Sequence, residues 1–265
     1  MELELWIHLQ PYAISYLLFD TSNLKVLDID AVIINKNFDN IRYDEVLSKI
    51  FSNENEYFKL SFVKVSIAFS TNQFMLLPEQ TENPSRMMDF LGMHTLPMDK
   101  ILSEKISDEQ FLYYVLPIDV YNFFIHRFKN VVWHFGDLAL LKYSNSKLSF
   151  QKHLLAHIAG NDLTIVLKDK NKVSYFNKFY VQDKQDLLYF LKLAYETLGL
   201  DTDQFATYLY GFIEEKSPMY TFSYSYIRNF EIDRILHHDL GYSFYYTNDP
   251  LHYYYNLLCL GKYEN

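Results

Sequence analysis

Glycine is scarce: 7 residues in 265, against a usual share of ~7%. They stand at Gly92, Gly136, Gly160, Gly199, Gly211, Gly241 and Gly261, and the closest two are 12 residues apart. A phosphate-binding loop crowds several glycines into about six residues, so that backbone N–H groups reach the phosphate with no Cβ in the way. The chain therefore has no Walker loop, dinucleotide fingerprint, kinase glycine loop or Gly-x-Ser-x-Gly nucleophile elbow. There is one cysteine, Cys259, which excludes an intramolecular disulfide and a cysteine-based zinc site. A reducing, cytoplasmic location is the expectation. No stretch approaches about 18 uninterrupted apolar residues, and Met1-Glu2-Leu3-Glu4-Leu5 lacks the basic start of a signal peptide, so no membrane insertion is expected. No basic run exists either. The net charge is −9, and Lys168-Asp169-Lys170-Asn171-Lys172 is interrupted by an acid and an amide, as in a solvated turn. Nucleic acid is thereby excluded as a partner.

What is present is an ordinary globular balance: 49% hydrophobic, 22% charged and 18% aromatic. The length suits one large domain or two of about 130 residues. Period-two alternation marks strands at Glu2 to Leu9 and Lys25 to Ile34, and a nearly continuous apolar run marks one at Ala13 to Phe19. Asp44 to Phe51 has helical spacing with acids in its first turn, and Phe62 to Phe69 is a further strand. Phe74 to Leu77 and Phe111 to Leu116 are strands, Pro84 to Leu91 and Ile118 to Arg127 helices, Asn130 to Phe135 a strand and Asp137 to Tyr143 a helix. The polar run Ser144 to Lys147 is the best domain boundary.

The pattern then restarts. Strands are expected at Lys152 to Ala159, Leu163 to Leu167 and Val173 to Tyr180. A long helix follows from Asp183 to Leu198 with Gly199 as its stop, then a strand at Phe205 to Tyr210 and a helix near Ser217 to Arg228. Strand, turn, strand, turn, strand, helix, strand thus occurs twice. This predicts two duplicated α/β (α+β) lobes, 1–145 and 146–265.

Tandem lobes of three antiparallel strands, a crossover helix and further strand–helix units resemble the actin-like ATPase superfamily, whose lobes are ribonuclease-H-like. The segments Leu5-Trp6-Ile7-His8-Leu9, Val63-Lys64-Val65-Ser66, Phe74-Met75-Leu76-Leu77-Pro78, Val173 to Phe179, Asp186 to Leu191 and Leu209-Tyr210-Gly211 are similar to one uncharacterised bacterial family placed in it, of pilus-assembly actin-like type. The resemblance implies that the first hairpin of each lobe stands where active members hold phosphate and hydrated Mg²⁺ with an Asp and a Gly. Here Leu9-Gln10-Pro11-Tyr12-Ala13 has neither, and Pro11 lacks a backbone donor. The second turn keeps Gly160, Asn161, Asp162 and Thr164, and Tyr210-Gly211-Phe212 keeps one glycine where adenosine-binding members carry two.

Two functions are compatible with this. The leading one is a non-catalytic interaction or assembly protein, a pseudo-ATPase, with no cofactor. The alternative is a protein or ATPase that binds nucleotide or another small ligand, ATP with Mg²⁺ included, in a cleft lined by Gly160, Asn161, Asp162, Thr164 and Gly211. For the first, the tyrosines matter: Tyr220, Phe222, Tyr224 and Tyr226 alternate, and Tyr242 to Tyr246 and Tyr253 to Tyr255 crowd the end. Tyrosine is enriched at interfaces, so a Tyr-rich second-lobe surface is the candidate for docking a protein partner or a second copy, unless those rings fill the core. His153 and His157, four apart on a strand, are too distant to chelate a metal easily. His237, His238, Asp239 and His252 make no metal pattern. Cys259, in an apolar run, reads as a core residue.

Overall fold

The computed structural model describes residues 2–34, 47–48, 51, 60–90, 96, 98–142, 152–169, 172–233, 243–244 and 249–260. The chain forms two compact units, Met1–Leu138 with Tyr242–Tyr246, and Ala139–Gly241 with Thr247–Asn265. The boundary expected at Ser144 to Lys147 lies outside the described residues, as does most of the helix expected at Asp44 to Phe51.

In the first unit, β1 (Leu3–Leu9), β2 (Ala13–Asp20) and β3 (Lys25–Ile33) form an antiparallel meander. On the other side of β1 lie β4 (Lys64–Phe69) and then β8 (Val131–Phe135), both parallel to it. A short strand, β14 (Ser243–Phe244), adds to the far edge beside β3, which gives the order β14-β3-β2-β1-β4-β8. One face of this sheet buries Leu5, Ile7, Leu9, Val65 and Ile67 against Val120 and Phe124 of α2 (Ile118–Arg127) and against Leu47 and Phe51. A separate three-stranded antiparallel sheet, β5 (Phe74–Leu77), β7 (Gln110–Leu116) and β6 (Lys100–Ser107), lies between β4 and α2 in the chain. It packs Met75, Tyr113 and Val115 on Met88 of α1 (Pro84–Phe90). A short helix, α3 (Leu138–Lys142), leads out of the unit.

The second unit repeats the plan. Here β9 (His153–Ala159), β10 (Asp162–Asp169) and β11 (Lys172–Tyr180) are the meander. β12 (Thr207–Gly211) and β13 (Phe230–Ile232) extend it in parallel on the far side of β9, in the order β11-β10-β9-β12-β13. The covering helix is α4 (Lys184–Thr197). Asp183 caps it by accepting bonds from the N–H groups of Gln185 and Asp186, while Asp186 accepts one back from the N–H of Gln182 at 2.9 Å. It stops at Gly199, whose φ of +61° lets the N–H groups of Gly199 and Leu200 bond the carbonyls of Glu196 and Tyr195. The buried stripe Leu187, Leu188, Leu191, Ala194 and Tyr195 packs on Leu154, Ala156, Ile158, Leu163, Ile165 and Leu209. Each fully buried leucine contributes on the order of 2 kcal/mol. α5 (Pro218–Tyr224) packs beside α4. A 3₁₀ turn (Leu251–Tyr254) running into α6 (Tyr255–Leu258) closes over β12, with the rings of Tyr210 and Tyr255 4.0 Å apart.

The duplication is visible in individual hydrogen bonds. In the first unit the N–H of Ile34 bonds the carbonyl of Tyr12 at 2.7 Å, and that of Ser70 bonds Leu9 at 2.9 Å. In the second unit the N–H of Val181 bonds Asn161 at 2.7 Å, and that of Phe212 bonds Ile158 at 2.8 Å. With Leu9 laid on Ile158 the hairpins have equal length. Pro11 then matches Gly160, Ala13 matches Asp162, Ser15 matches Thr164 and His8 matches His157.

Three strands were not anticipated. β6 has apolar and polar residues on both faces, so it shows no alternation, and β13 and β14 are three and two residues long. The expected helix over Ser217 to Arg228 ends as an α-helix at Tyr224. Gly136 follows β8, and a Cβ there would stand 2.6 Å from both the N and Cα atoms of Ser70. Because the obstacle is backbone, no rotamer relieves it. Gly136→Ala is expected to lower the stability by about 2 kcal/mol or more in urea melts, and pairing it with Ser70→Gly is expected not to restore it.

Candidate functional site

The five residues expected to line a ligand site all lie at one end of the second sheet. Gly160 and Asn161 form the β9–β10 turn, Asp162 and Thr164 begin β10, and Gly211 ends β12 opposite Ile158 of β9. Gly160 has a φ of +62°, a conformation that a tight turn assigns to glycine. Asn161 is doubly tied to Val181: its carbonyl accepts the N–H of Val181, and its side-chain amide donates to the carbonyl of Val181, each at 2.7 Å. Asp162 is half-buried, with Oδ2 in the interior. Thr164 is buried beside His157 on β9, which neighbours Tyr210 on β12. Gly211 has a φ of +86°, and a Cβ there would come 2.1 Å from the carbonyl oxygen of Ile158. The positive φ of Gly160 and the close approach at Gly211 are requirements of the backbone, and the side chain of Asn161 is held by Val181.

In the first unit, Pro11 and Ala13 occupy the places of Gly160 and Asp162. Gln10 is buried, its N–H bonding the carbonyl of Ala13 at 2.9 Å. Below the turn, His8 Nε2 hydrogen-bonds Ser70 Oγ at 3.0 Å. The nearby pair His134 Nδ1 and Glu104 Oε1, 3.2 Å apart, joins β8 to β6. Among the described residues no group of three His, Cys, Asp or Glu side chains could hold a metal ion. His153 and His157 share one face of β9, about 13 Å apart along the strand, and both are buried. His237, His238 and Asp239 lie outside the described residues, and Cys259 is buried.

The second face of this sheet carries an unusual charge. Lys168 near the end of β10 is 1% exposed, and burial pulls its ammonium down to about 8 from an ordinary 10.5. Its cross-strand neighbour is His153. Further along, the hydroxyl of Tyr210 donates to Asp233 at 2.6 Å, and burial raises it well above the usual phenol range. His252 is lowered by burial, with Nε2 2.8 Å from the carbonyl oxygen of Ile213.

The tyrosines divide. Tyr254 and Tyr255 are 2% and 5% exposed and belong to the interior, so the expectation that the chain's end is a tyrosine surface is corrected there. The rings could pack because the segment is helical and turns them onto β12 rather than outward. Tyr242, Tyr245 and Tyr246 lie outside the described residues. Among the described residues, the exposed tyrosines are Tyr180 at the end of β11 at 59%, Tyr189 on α4 at 61%, Tyr224 at the end of α5 at 54% and Tyr226 just past it at 50%. In α5 the rings pair at i, i+4, with Tyr220 stacked on Tyr224 at 5.7 Å and Phe222 meeting Tyr226 at 5.5 Å. Along α4, beside Phe222 of α5, lies an open groove of about 400 Å³ lined by Leu188, Tyr189, Lys192, Leu193 and Glu196. Sequence reasoning missed α4's contribution, although Tyr189 and Leu193 at i, i+4 beside a complete buried stripe were a second apolar stripe in plain view.

Residues 2–230 match a family described as "Protein of unknown function (DUF3822)", and the chain belongs to that family. No curated protein matches it. Among solved structures, a Bacteroides thetaiotaomicron protein with actin-like ATPase fold and unknown function is 14% identical, with a TM-score of 0.73 over 88% of this chain and 91% of that one. A chain of the PilM–PilN type IV pilus biogenesis complex is 10% identical, with a TM-score of 0.64 over 97% of this chain and 98% of that one. The cytoplasmic domain of EpsL, an inner membrane component of the Vibrio cholerae type II secretion system, is 11% identical, with a TM-score of 0.50 over 100% of this chain and 96% of that one. The fold is that of the actin-like ATPases, as the duplicated strand pattern implied. Among the described residues no helix is long and apolar enough to cross a membrane.

Two measurements bear on these residues. Gly211→Ala is expected to destabilise the chain by about 2 kcal/mol or more, a loss seen in urea melts without any ligand. For Lys168, folded and unfolded chains are both protonated below about pH 8, and the buried charge costs stability there. Between about 8 and 10.5 only the unfolded chain keeps the proton, so stability rises with pH through that window. Lys168→Met is expected to stabilise the fold at pH 7 by about 2 kcal/mol and to flatten the rise, read from urea midpoints at pH 7 and pH 10.

Proposed function

We propose that this chain is a non-catalytic interaction or assembly protein of actin-like fold, which docks a protein partner through the exposed aromatic face of α4 and α5. The observation that carries this is the contrast among its rings. Tyr254 and Tyr255 are buried, while Tyr189 and Leu193 remain in solvent along a groove and Tyr224 and Tyr226 are exposed on or just past α5. Large exposed apolar groups clustered around a groove are the mark of a binding surface. The two hairpin turns support the same reading. The first has Pro11 and Ala13 where the second has Gly160 and Asp162, so it offers no carboxylate for hydrated Mg²⁺ and one backbone donor fewer for phosphate. The second has committed the side chain of Asn161 to Val181. Similarity to a chain of the PilM–PilN complex adds a neighbour of the same fold that works within a protein assembly.

The test has two arms. Tagged chain and a Tyr189→Ser/Leu193→Ser variant are isolated from the cells that make the protein. A protein retained by the first and lost by the second is expected, with the variant's urea melt unchanged within about 0.5 kcal/mol. Calorimetric titration with ATP and Mg²⁺ is expected to show no saturable heat at millimolar nucleotide. Identical partners for both chains, or saturable ATP binding abolished by Asp162→Ala, would sink the proposal.

A further inference from the structure

We infer that the outer edges of the two sheets are closed to strand addition by the same two-part guard, and that Asn177 keeps β11 from pairing with β11 of a second copy of this chain. The inference stands apart from the docking role of α4. β11 ends the second sheet, and among the described residues no strand lies beyond it. It is nine residues long, with Tyr175, Phe176, Phe179 and Tyr180 among them. A long, aromatic edge of this kind is one that another strand extends. A second copy is the occupant at issue, because two such edges set antiparallel about a two-fold axis continue one sheet through both chains. β3 holds the matching place in the first unit, where β14 covers it at Lys25 and Val26 alone.

The first part of the guard is a bulge. Leu167 is paired with Tyr175 and Lys168 with Val173, which leaves Ser174 as the extra residue. In β3 the break falls between Leu18, paired with Asp28, and Phe19, paired with Val26, which leaves Leu27. A bulge bends and twists the strand, and an incoming partner loses the ladder there.

The second part is a side chain. The N–H of Val181 bonds the carbonyl of Asn161, and hydrogen-bonded pairs alternate with non-bonded ones along an antiparallel ladder. Lys178, paired with Thr164 three steps back, therefore points its N–H away from β10. Asn177 Oδ1 accepts that N–H at 2.9 Å. The first unit does the same. The N–H of Ile34 bonds the carbonyl of Tyr12, Ala31 is paired with Ser15 three steps back, and Asp30 Oδ1 accepts the outward N–H of Ala31 at 2.7 Å. In both strands the capping residue stands three places after the bulge and three before an exposed apolar side chain, Ile33 at 40% and Tyr180 at 59%. An incoming strand would exchange a bond already made for one of its own, and gain nothing at that rung. The residues differ between the units, Leu27 against Ser174 and Asp30 against Asn177, while the arrangement recurs. What the two edges share is thus the blocking of the backbone.

The test compares the full wild-type chain with Asn177→Asp and Asn177→Gln. The first keeps an oxygen at the reach that Asp30 has in β3. The second stays polar and uncharged, but its longer side chain carries the oxygen past the neighbouring N–H. Sedimentation equilibrium is read together with amide exchange at Lys178 and at Tyr180, whose N–H also points outward. In dilute Asn177→Gln the Lys178 amide is expected to exchange at least about threefold faster than in wild type. With rising concentration the mass of this variant is expected to climb towards that of a dimer, and exchange at Tyr180 to slow as the edges pair. Asn177→Asp is expected to match wild type in both readings. Three results would each overturn the inference: Asn177→Gln indistinguishable from wild type, Asn177→Asp associating as strongly as Asn177→Gln, or association that leaves exchange at Tyr180 unchanged.

Discussion

The fold depends on the strand in each unit where the antiparallel meander meets the parallel strands. β1 runs between β2 and β4, and β9 between β10 and β12. A strand so placed has neither an open edge nor a solvent face, so nearly all of its side chains are buried. Everything else is arranged from it. Its antiparallel partner fixes a hairpin at its carboxyl end, and its parallel partner ends beside that hairpin. Two backbone bonds of 2.7 to 2.9 Å hold the turn to the neighbouring strands in the same way in both units. The register is firm because a slip of one residue would turn Leu5, Ile7 and Leu9 away from Val120 and Phe124 and put Trp6 and His8 against them.

That constraint explains what the sequence discloses. Central strands are apolar on both faces and are flanked by turn residues, so β1, β2, β9 and β10 are plain in the amino-acid order, as is α4 with its Asp183 cap and Gly199 stop. β6 is hidden for the opposite reason. As an edge strand of a small sheet it mixes Ile101, Ser103 and Lys105 on one side with Leu102, Glu104 and Ile106 on the other. The hairpin residues Gly160, Asn161, Asp162, Thr164 and Gly211 are recognisable from sequence as neighbours in the fold. What each side chain is used for is not, because Asn161 meets Val181, twenty residues away, and Gly211 meets the backbone of Ile158.

The tyrosines show the limit of composition as an argument. A count of 24 in 265 residues says that the rings must be somewhere, not which are wet. The 3₁₀ turn and α6 rotate Tyr254 and Tyr255 inward, where Tyr254 finds Asp249 at 2.7 Å and Tyr255 stacks against Tyr210. Tyr189 is on a helix whose inner stripe is already complete, and a helix of 3.6 residues per turn has no second way to bury it. Its exposure follows from the packing of Leu187, Leu191 and Tyr195. The free face of α4 is thus a consequence of the fold's own geometry.

Duplication with divergence gives the two turns their meaning. The backbone of the hairpin is the same twice over, to the length of the loop and the partners of its hydrogen bonds, and the buried pair below it is also retained, His8 beside Ser15 and His157 beside Thr164. Only the tip differs: Pro11 and Ala13 against Gly160 and Asp162. The parts that repeat are those the sheet requires for its own closure, and the parts that differ are those the resemblance to actin-like ATPases assigns to phosphate and metal. The docking role proposed above needs neither tip, because α4 packs on the second sheet through Leu187, Leu191 and Tyr195 and turns its outer face away from it.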